Sequence, residues 1–258
     1  MLPEVAAWPL GDPIAGPIAL ALAGALAGVA NTLAGGGSFI ILPILIGLGL
    51  TPGVANATSR IGVLAHGSAA TLTFMRSKAL PLGLIARMAP AMCVGALVGA
   101  WLATRLADDL LRPVIGGVLL LWALILLVRP GRFLKPPEQP LVPGPLSHAL
   151  ALLIGVYGGF LQAGVGFPLV ALFVSLLGHT ALAANAAKVA LVFIYTVLAL
   201  AVFAASGEVA WTEGAVLAVG MMFGGYVGAR VQLRLGPGVV RWAMLVMVAI
   251  SGLALLLP

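Results

Sequence analysis

The chain has 258 residues, of which 62% are hydrophobic and 8% charged, where a soluble domain carries about a quarter charged. Its formal net charge is +6 and its mean hydropathy +1.19. This balance excludes a soluble enzyme, a nucleic-acid binder and a disordered chain, because none of them could cover itself with polar surface. The basic excess belongs instead to the cytoplasmic loops of a membrane protein. The apolar runs are continuous rather than alternating, so helices and not a β-barrel cross the bilayer.

Residues 1–13 form an N-terminal extracytoplasmic segment. Residues 1–8 carry Glu4 and no lysine or arginine, which does not read as a signal peptide. Apolar segments follow at about 14–34, 38–50, 54–75, 81–106 and 110–128. Residues 129–145 are a linker, opened by Arg129, Pro130, Gly131 and Arg132 and rich in proline to Pro140. A second set lies at about 146–163, 167–178, 182–205, 209–233 and 239–257.

The two sets are duplicates. An ungapped offset of 129 residues makes 26 of the 94 positions in 34–127 identical to their partners. Composition alone yields about half that number or fewer. Ala55-Asn56-Ala57 pairs with Ala184-Asn185-Ala186, and Gly95, Val98, Gly99 and Ala100 pair with Gly224, Val227, Gly228 and Ala229. Arg105-Leu106 pairs with Arg234-Leu235. Residues 14–128 are therefore repeat 1 and residues 146–258 repeat 2.

Charge sets the expected topology. Arg76, Lys78 and Arg87 cluster after the third segment, the linker is basic, and Arg230, Arg234 and Arg241 surround the last loop. The loop with Glu208 and Glu213 has no base. The positive-inside rule turns the three basic loops to the cytoplasm and both termini to the periplasm. Corresponding loops then fall on opposite sides, so the repeats are inverted. The 38–50 and 167–178 segments are too short to span a core of about 30 Å. The expected fold is thus an all-α polytopic membrane protein of two inverted-topology repeats. Each repeat has a broken or re-entrant helical hairpin, preferred over two crossings, plus three spanning helices.

Two constellations carry chemistry. The first is Asn31, then Gly35-Gly36-Gly37-Ser38, with its partner Gln162, Gly164, Gly166 and Phe167. Glycine breaks expose N–H groups, and half-helices starting there point positive ends inward, which makes an anion site without fixed charge. Ser38, Asn31 and Gln162 add polar groups. Close helix packing by small residues is the alternative. The second constellation is Asn56 and Arg60, with Asn185 and Lys188. If their helices begin near Pro52 and Ala181, both bases lie about 10 Å in. Bases at that depth face a partner or a wet cavity. All seven carboxylates map to loops or helix ends, so an anionic substrate is the expected counter-charge. Snorkelling is the alternative for the bases, and N-capping for the asparagines.

His66 pairs with Tyr195 at offset 129. It is a candidate for proton coupling, with an interhelical hydrogen bond favoured over that role. Trp8, Trp101, Trp211 and Trp242 fit aromatic belts. The single Cys93 reads as a small core residue. No metal-ligand spacing, P-loop or catalytic cluster is present, so neither metal nor other cofactor is expected and the chain does not read as an enzyme.

Taken together, the duplicated order of glycine element, short helix and Asn-Ala…base helix resembles the sulfite exporter TauE/SafE family over essentially the whole chain. The second repeat departs from that pattern, with Val165 between its glycines and Leu172 opposite Pro43. The resemblance implies transport of sulfur-containing oxyanions such as sulfite or sulfoacetate. The expected function is a secondary transporter, exporting such an anion across the inner membrane by alternating access. A passive anion channel and a non-transporting membrane scaffold are the rivals. The expected partners are the small anionic substrate, protons as a candidate coupling ion, and the lipid bilayer, with no nucleic acid.

Overall fold

The computed structural model describes residues 14–128 and 143–235. The N-terminal segment, the linker charges, Trp8, Trp242, Arg241 and the 239–257 segment lie outside the described residues. Repeat 1 contributes α1 (Ala15–Ala34), α2 (Ser38–Gly47), α3 (Pro52–Arg76), α4 (Leu82–Ala103) and α5 (Asp108–Val128). Repeat 2 contributes α6 (Pro145–Phe160), α7 (Gly166–Ala171), α8 (Ala181–Ser206) and α9 (Trp211–Leu235). A single π-helical stretch, Leu172–Leu176, continues α7.

The helix boundaries follow local chemistry. Gly35 closes α1 in the left-handed conformation at φ +80°, donating its N–H to Asn31 O. Thr51 and Thr180, a matched pair in the repeats, stand at the N-caps of α3 and α8, and Thr180 accepts from Ala183 N–H. Asn56 and Asn185 therefore do not cap: each lies inside its helix, more than a turn from the start, which removes the capping alternative. Pro43 lies inside α2, and the π-helical stretch begins at its repeat partner, Leu172. Both short helices thus depart from regular α-helix at the matched position, one through a missing N–H and one through a widened turn.

Among the described residues, α1, α4, α8 and α9 are long and apolar enough to cross a membrane. The 10-residue α2 covers about 15 Å. The 25-residue α3 is long enough at about 37 Å but carries Asn56, Arg60 and His66 along its length. Those three are buried, because neighbouring helices, not lipid, surround them.

Small residues bring the helices together. Gly95 and Gly99 of α4 lie against Leu152 and Val156 of α6, and Gly220 and Gly224 of α9 against Ala21 and Ala25 of α1. The duplicated Gly-x-x-Val-Gly-Ala helices thus each pack on the first helix of the other repeat. Along these seams α1 runs parallel to α9: Gly24 meets Leu217, Gly28 meets Gly224 and Gly228 meets Thr32. By contrast, α3 runs antiparallel to α8, with Gly67 against Phe193 and Arg60 over the Phe203 ring. Ile61 and His66 of α3 touch Gly214 and Gly225 of α9 in parallel order. Arg76, Lys78, Arg230 and Arg234 therefore gather at one end. At the other end, Gly53 N–H donates to Asp108 at 2.7 Å with Glu208 beside it. Trp101 and Trp211 are exposed on the outer surface.

The packing makes a direct prediction. A Cβ on Gly99 would lie 1.9 Å from Val156 O, whereas nothing lies within 4 Å of one on Gly117. Gly99→Val should lower the stability of the detergent-purified protein by about 1–3 kcal/mol or more. Gly117→Ala in the exposed face of α5 should leave it unchanged or raise it by about 0.5–1 kcal/mol. Melting curves followed by circular dichroism compare the two; equal curves would contradict the close α4–α6 contact.

Candidate functional site

The site is assembled where the two helices break. At the first break, α1 stops at Ala34; Asn31 O still accepts from Gly35 N–H at 2.9 Å, whereas Thr32 O has lost its helical donor. Lys188 of α8 reaches both: its Nζ donates to Asn31 O at 3.0 Å and Thr32 O at 3.1 Å. Asn185 Nδ2 adds a bond to Thr32 O at 2.8 Å and one to Gln232 Oε1 at 2.6 Å. The turn itself is held by Gly37 N–H, which donates to the Asn31 side-chain oxygen at 3.3 Å. Ser38 is buried at the start of α2.

The second break repeats the arrangement from the other side. Arg60 of α3 donates to Gly158 O at 2.6 Å and Gly159 O at 2.9 Å, at the end of α6. It is steadied by Asn56 Oδ1 at 3.3 Å, while Asn56 Nδ2 donates to Phe160 O at 2.8 Å. The chain then turns through two left-handed residues, Gln162 at φ +67° and Gly164 at φ +73°. The positive φ is natural for the glycine, but for Gln162 it is a strained position of the kind found at functional sites. Gln162 Nε2 donates to Thr196 Oγ1 at 3.0 Å.

Arg60 is fully buried and Lys188 is 2% exposed, so neither snorkels to the headgroups. The counter-charge expected from a substrate is in both cases supplied by carbonyls at a helix C-terminus, the negative end of the helix dipole. The two breaks also touch: a Cβ on Gly35 would sit 2.7 Å from Gly166 Cα, and one on Gly166 would meet the Lys188 side chain at 3.1 Å.

Around this contact lies a cavity of about 10 Å³, lined by Asn31, Gly35, His66, Gln162, Val165, Gly166, Lys188, Val189 and Val192. That is room for about one water molecule. Of the residues singled out in the sequence, Asn31, Gly35, His66, Gln162, Gly166 and Lys188 meet there. Gly36, Gly37, Ser38, Asn56, Arg60, Gly164, Asn185 and Tyr195 surround it without lining it. His66 Nδ1 lies 3.4 Å from Asn31 Nδ2 and 3.2 Å from Val63 O, an α1–α3 contact of the interhelical kind. Its Nε2 and the Tyr195 hydroxyl, both buried, have no hydrogen-bond partner among the described residues.

Three contributors were not legible in the sequence. Trp122 of α5 presses its indole on Gly164, lies 5.3 Å from the Phe167 ring and donates to Tyr157 at 2.8 Å. Tyr157 in turn donates to Ala163 O. Gln232 completes the Asn185 network. Trp122 and Gln232 stand opposite Ser251 and Ala103 in the repeat alignment, so a search for duplicated residues passes over them.

Comparison with known proteins bears on the whole chain. Residues 20–255 match the family described as Sulfite exporter TauE/SafE. The "Probable membrane transporter protein ORF9" of Sinorhizobium sp is 30% identical over 221 residues, 86% of this chain and 84% of that protein. The "Probable membrane transporter protein YfcA" of Escherichia coli strain K12 is 27% identical over 226 residues, 88% of this chain and 84% of that protein. The "Probable membrane transporter protein YjnA" of Bacillus subtilis strain 168 is 27% identical, covering 86% and 92%. No solved structure matches.

The geometry assigns Arg60 a stability role that can be measured. Arg60→Gln strips two α6 carbonyls of a charged donor inside the protein, which should cost about 2–4 kcal/mol. Arg60→Lys keeps the charge but not the fork that reaches two carbonyls and Asn56, and should recover only part of the loss. Thermal melts of the three proteins decide this; an Arg60→Gln protein as stable as the parent would show that the guanidinium does not hold the break.

Proposed function

The chain belongs to the sulfite exporter TauE/SafE family, and we propose that it is a secondary transporter exporting a small sulfur-containing oxyanion across the bacterial inner membrane. Sulfite and organosulfonates such as sulfoacetate are the substrate class. One observation carries the reading: both glycine breaks, one from each repeat, meet at a buried cavity that also receives the Lys188 side chain. Backbone turns and one ammonium make a donor-rich environment for an anion without a competing carboxylate.

Lys188 is the charge that meets the substrate in this reading. Its ammonium has three N–H donors, two of them engaged with Asn31 O and Thr32 O, and the third is available to a sulfonyl oxygen. Asn31 and Gln162 orient the anion from either break. Arg60, Asn56 and Asn185 act one step back, by fixing the ends of the broken helices. The cavity has room for about one water molecule, less than sulfite needs, so binding in this reading requires the repeats to part. That tight closure favours alternating access over an open anion channel.

The antiparallel course of α3 and α8, with the basic helix ends together, supports inverted repeats with Arg76, Lys78 and Arg234 toward the cytoplasm and both termini toward the periplasm. Single cysteines in a Cys93→Ala background test this orientation. Gly207→Cys should react with an impermeant maleimide in intact spheroplasts and Lys78→Cys only after permeabilisation; the reverse pattern would turn the protein over.

Transport is tested by counterflow in proteoliposomes. Labelled sulfite should exchange against internal sulfite and sulfoacetate but not against a cationic control. Lys188→Gln should lose at least tenfold in rate. Sulfite titrates near neutral pH and no carboxylate lies in the described spans, so the substrate itself, as the monoanion, is the cheaper proton carrier in a low-dielectric site. His66→Gln should therefore keep most of the activity and its dependence on pH between 6 and 8. Loss of that dependence would make His66 the coupling group, and absence of counterflow for every anion would end the transporter reading.

A further inference from the structure

The bases that hold the two breaks have a second meaning. Lys188 Nζ sits on a pair of backbone oxygens, Asn31 O at 3.0 Å and Thr32 O at 3.1 Å. The Arg60 guanidinium sits on Gly158 O at 2.6 Å, Gly159 O at 2.9 Å and Asn56 Oδ1 at 3.3 Å. The atoms that accept from each base are all oxygens, both clusters stand at the negative end of a helix cut inside the protein, and both bases are buried, Arg60 fully and Lys188 2% exposed. Oxygens of this kind at a broken helix's C-terminus form the environment in which membrane proteins hold a small monovalent cation. Here a side chain from the opposite repeat reaches in and takes the position.

We propose that the two helix ends are monovalent-cation sites permanently filled by the protein's own ammonium and guanidinium, so that neither accepts a sodium or potassium ion. The inference stands apart from the identity of the transported anion, since it concerns only what neutralises the helix ends. It assigns the chemical class of the site as an alkylammonium cage, closed by α1 and α8 in one half and by α6 and α3 in the other. It also explains why a permanent charge is tolerated at this depth with no carboxylate beside it.

The cage can be emptied and refilled. Alanine at 188 retains Cβ, so the missing atoms correspond to n-propylammonium. Wild-type protein and Lys188→Ala would be melted, without substrate, in n-propylammonium, sodium and choline chloride at equal ionic strength. The wild type should melt at the same temperature in all three salts. Lys188→Ala should melt lower in choline, and n-propylammonium should restore at least half of the lost melting temperature, more than sodium does. A sodium-specific rise in the wild type, relative to choline, would overturn the proposal by revealing an unfilled cation site. Failure of n-propylammonium to exceed choline in Lys188→Ala would overturn it as well. If Lys188→Ala does not purify, the sodium arm on the wild type decides alone. Because no anion is assayed, a negative result here leaves the transport reading to its own experiment.

Discussion

Two basic side chains are buried in this protein with no carboxylate beside them among the described residues, and each is met by the cut end of a helix from the other repeat. A buried base without a partner would be far too costly to keep. A helix that ends inside the protein has the complementary problem, since its final carbonyls lack both helical donors and water. Joining the two solves both. Lys188 satisfies Thr32 O and gives Asn31 O a second donor beside Gly35 N–H, and Arg60 satisfies Gly158 and Gly159. The paired asparagines finish the work at Thr32 and Phe160. Neither repeat can close its own broken helix, so each depends on the other.

That dependence sets how close the repeats must come. The bases reach their carbonyls only because α1 and α6 lie within backbone contact of α9 and α4, an approach that glycine alone permits at Gly99 and Gly220. The same closeness brings Gly35 onto Gly166 and shrinks the space between the breaks to about one water. Anything larger than a water molecule entering there must separate contacts made of packed backbone, not merely rotate a side chain. Such packed contacts favour two discrete arrangements over gradual deformation. The aromatic group of Trp122, Tyr157 and Phe167 holds the second break from the side of α5.

The halves are alike in architecture and unlike in chemistry. Histidine stands where the other repeat has tyrosine, lysine faces the cavity where arginine is withdrawn from it, and a π-helical stretch answers a proline. A symmetric scaffold thus encloses an asymmetric site, with His66 and Lys188 on the cavity and Tyr195 and Arg60 behind it.

How far the sequence alone determined this protein can be judged residue by residue. Hydropathy located the helices, because lipid imposes a length and composition that no packing detail can override. Described helix ends fell within a few residues of the apolar boundaries. Duplication located both breaks and the paired asparagines, and the bases marked themselves as deep charges three or four residues beyond those asparagines. The depth of Arg60 and Lys188 was legible as well, because α3 and α8 begin at the expected Pro52 and Ala181. Only the tertiary structure decided what those charges touch. Their partners are backbone carbonyls about 100 to 160 residues away in the chain, and a carbonyl carries no signature in a sequence. For the same reason capping stayed open as the alternative for Asn56 and Asn185 until Thr51 and Thr180 were seen at the N-caps. Nothing in the sequence set Trp122 apart; the structure lays it against Gly164. Composition and period determine where the chain must be helical and where it must break; which broken end meets which base depends on contacts that exist only once the two repeats have packed.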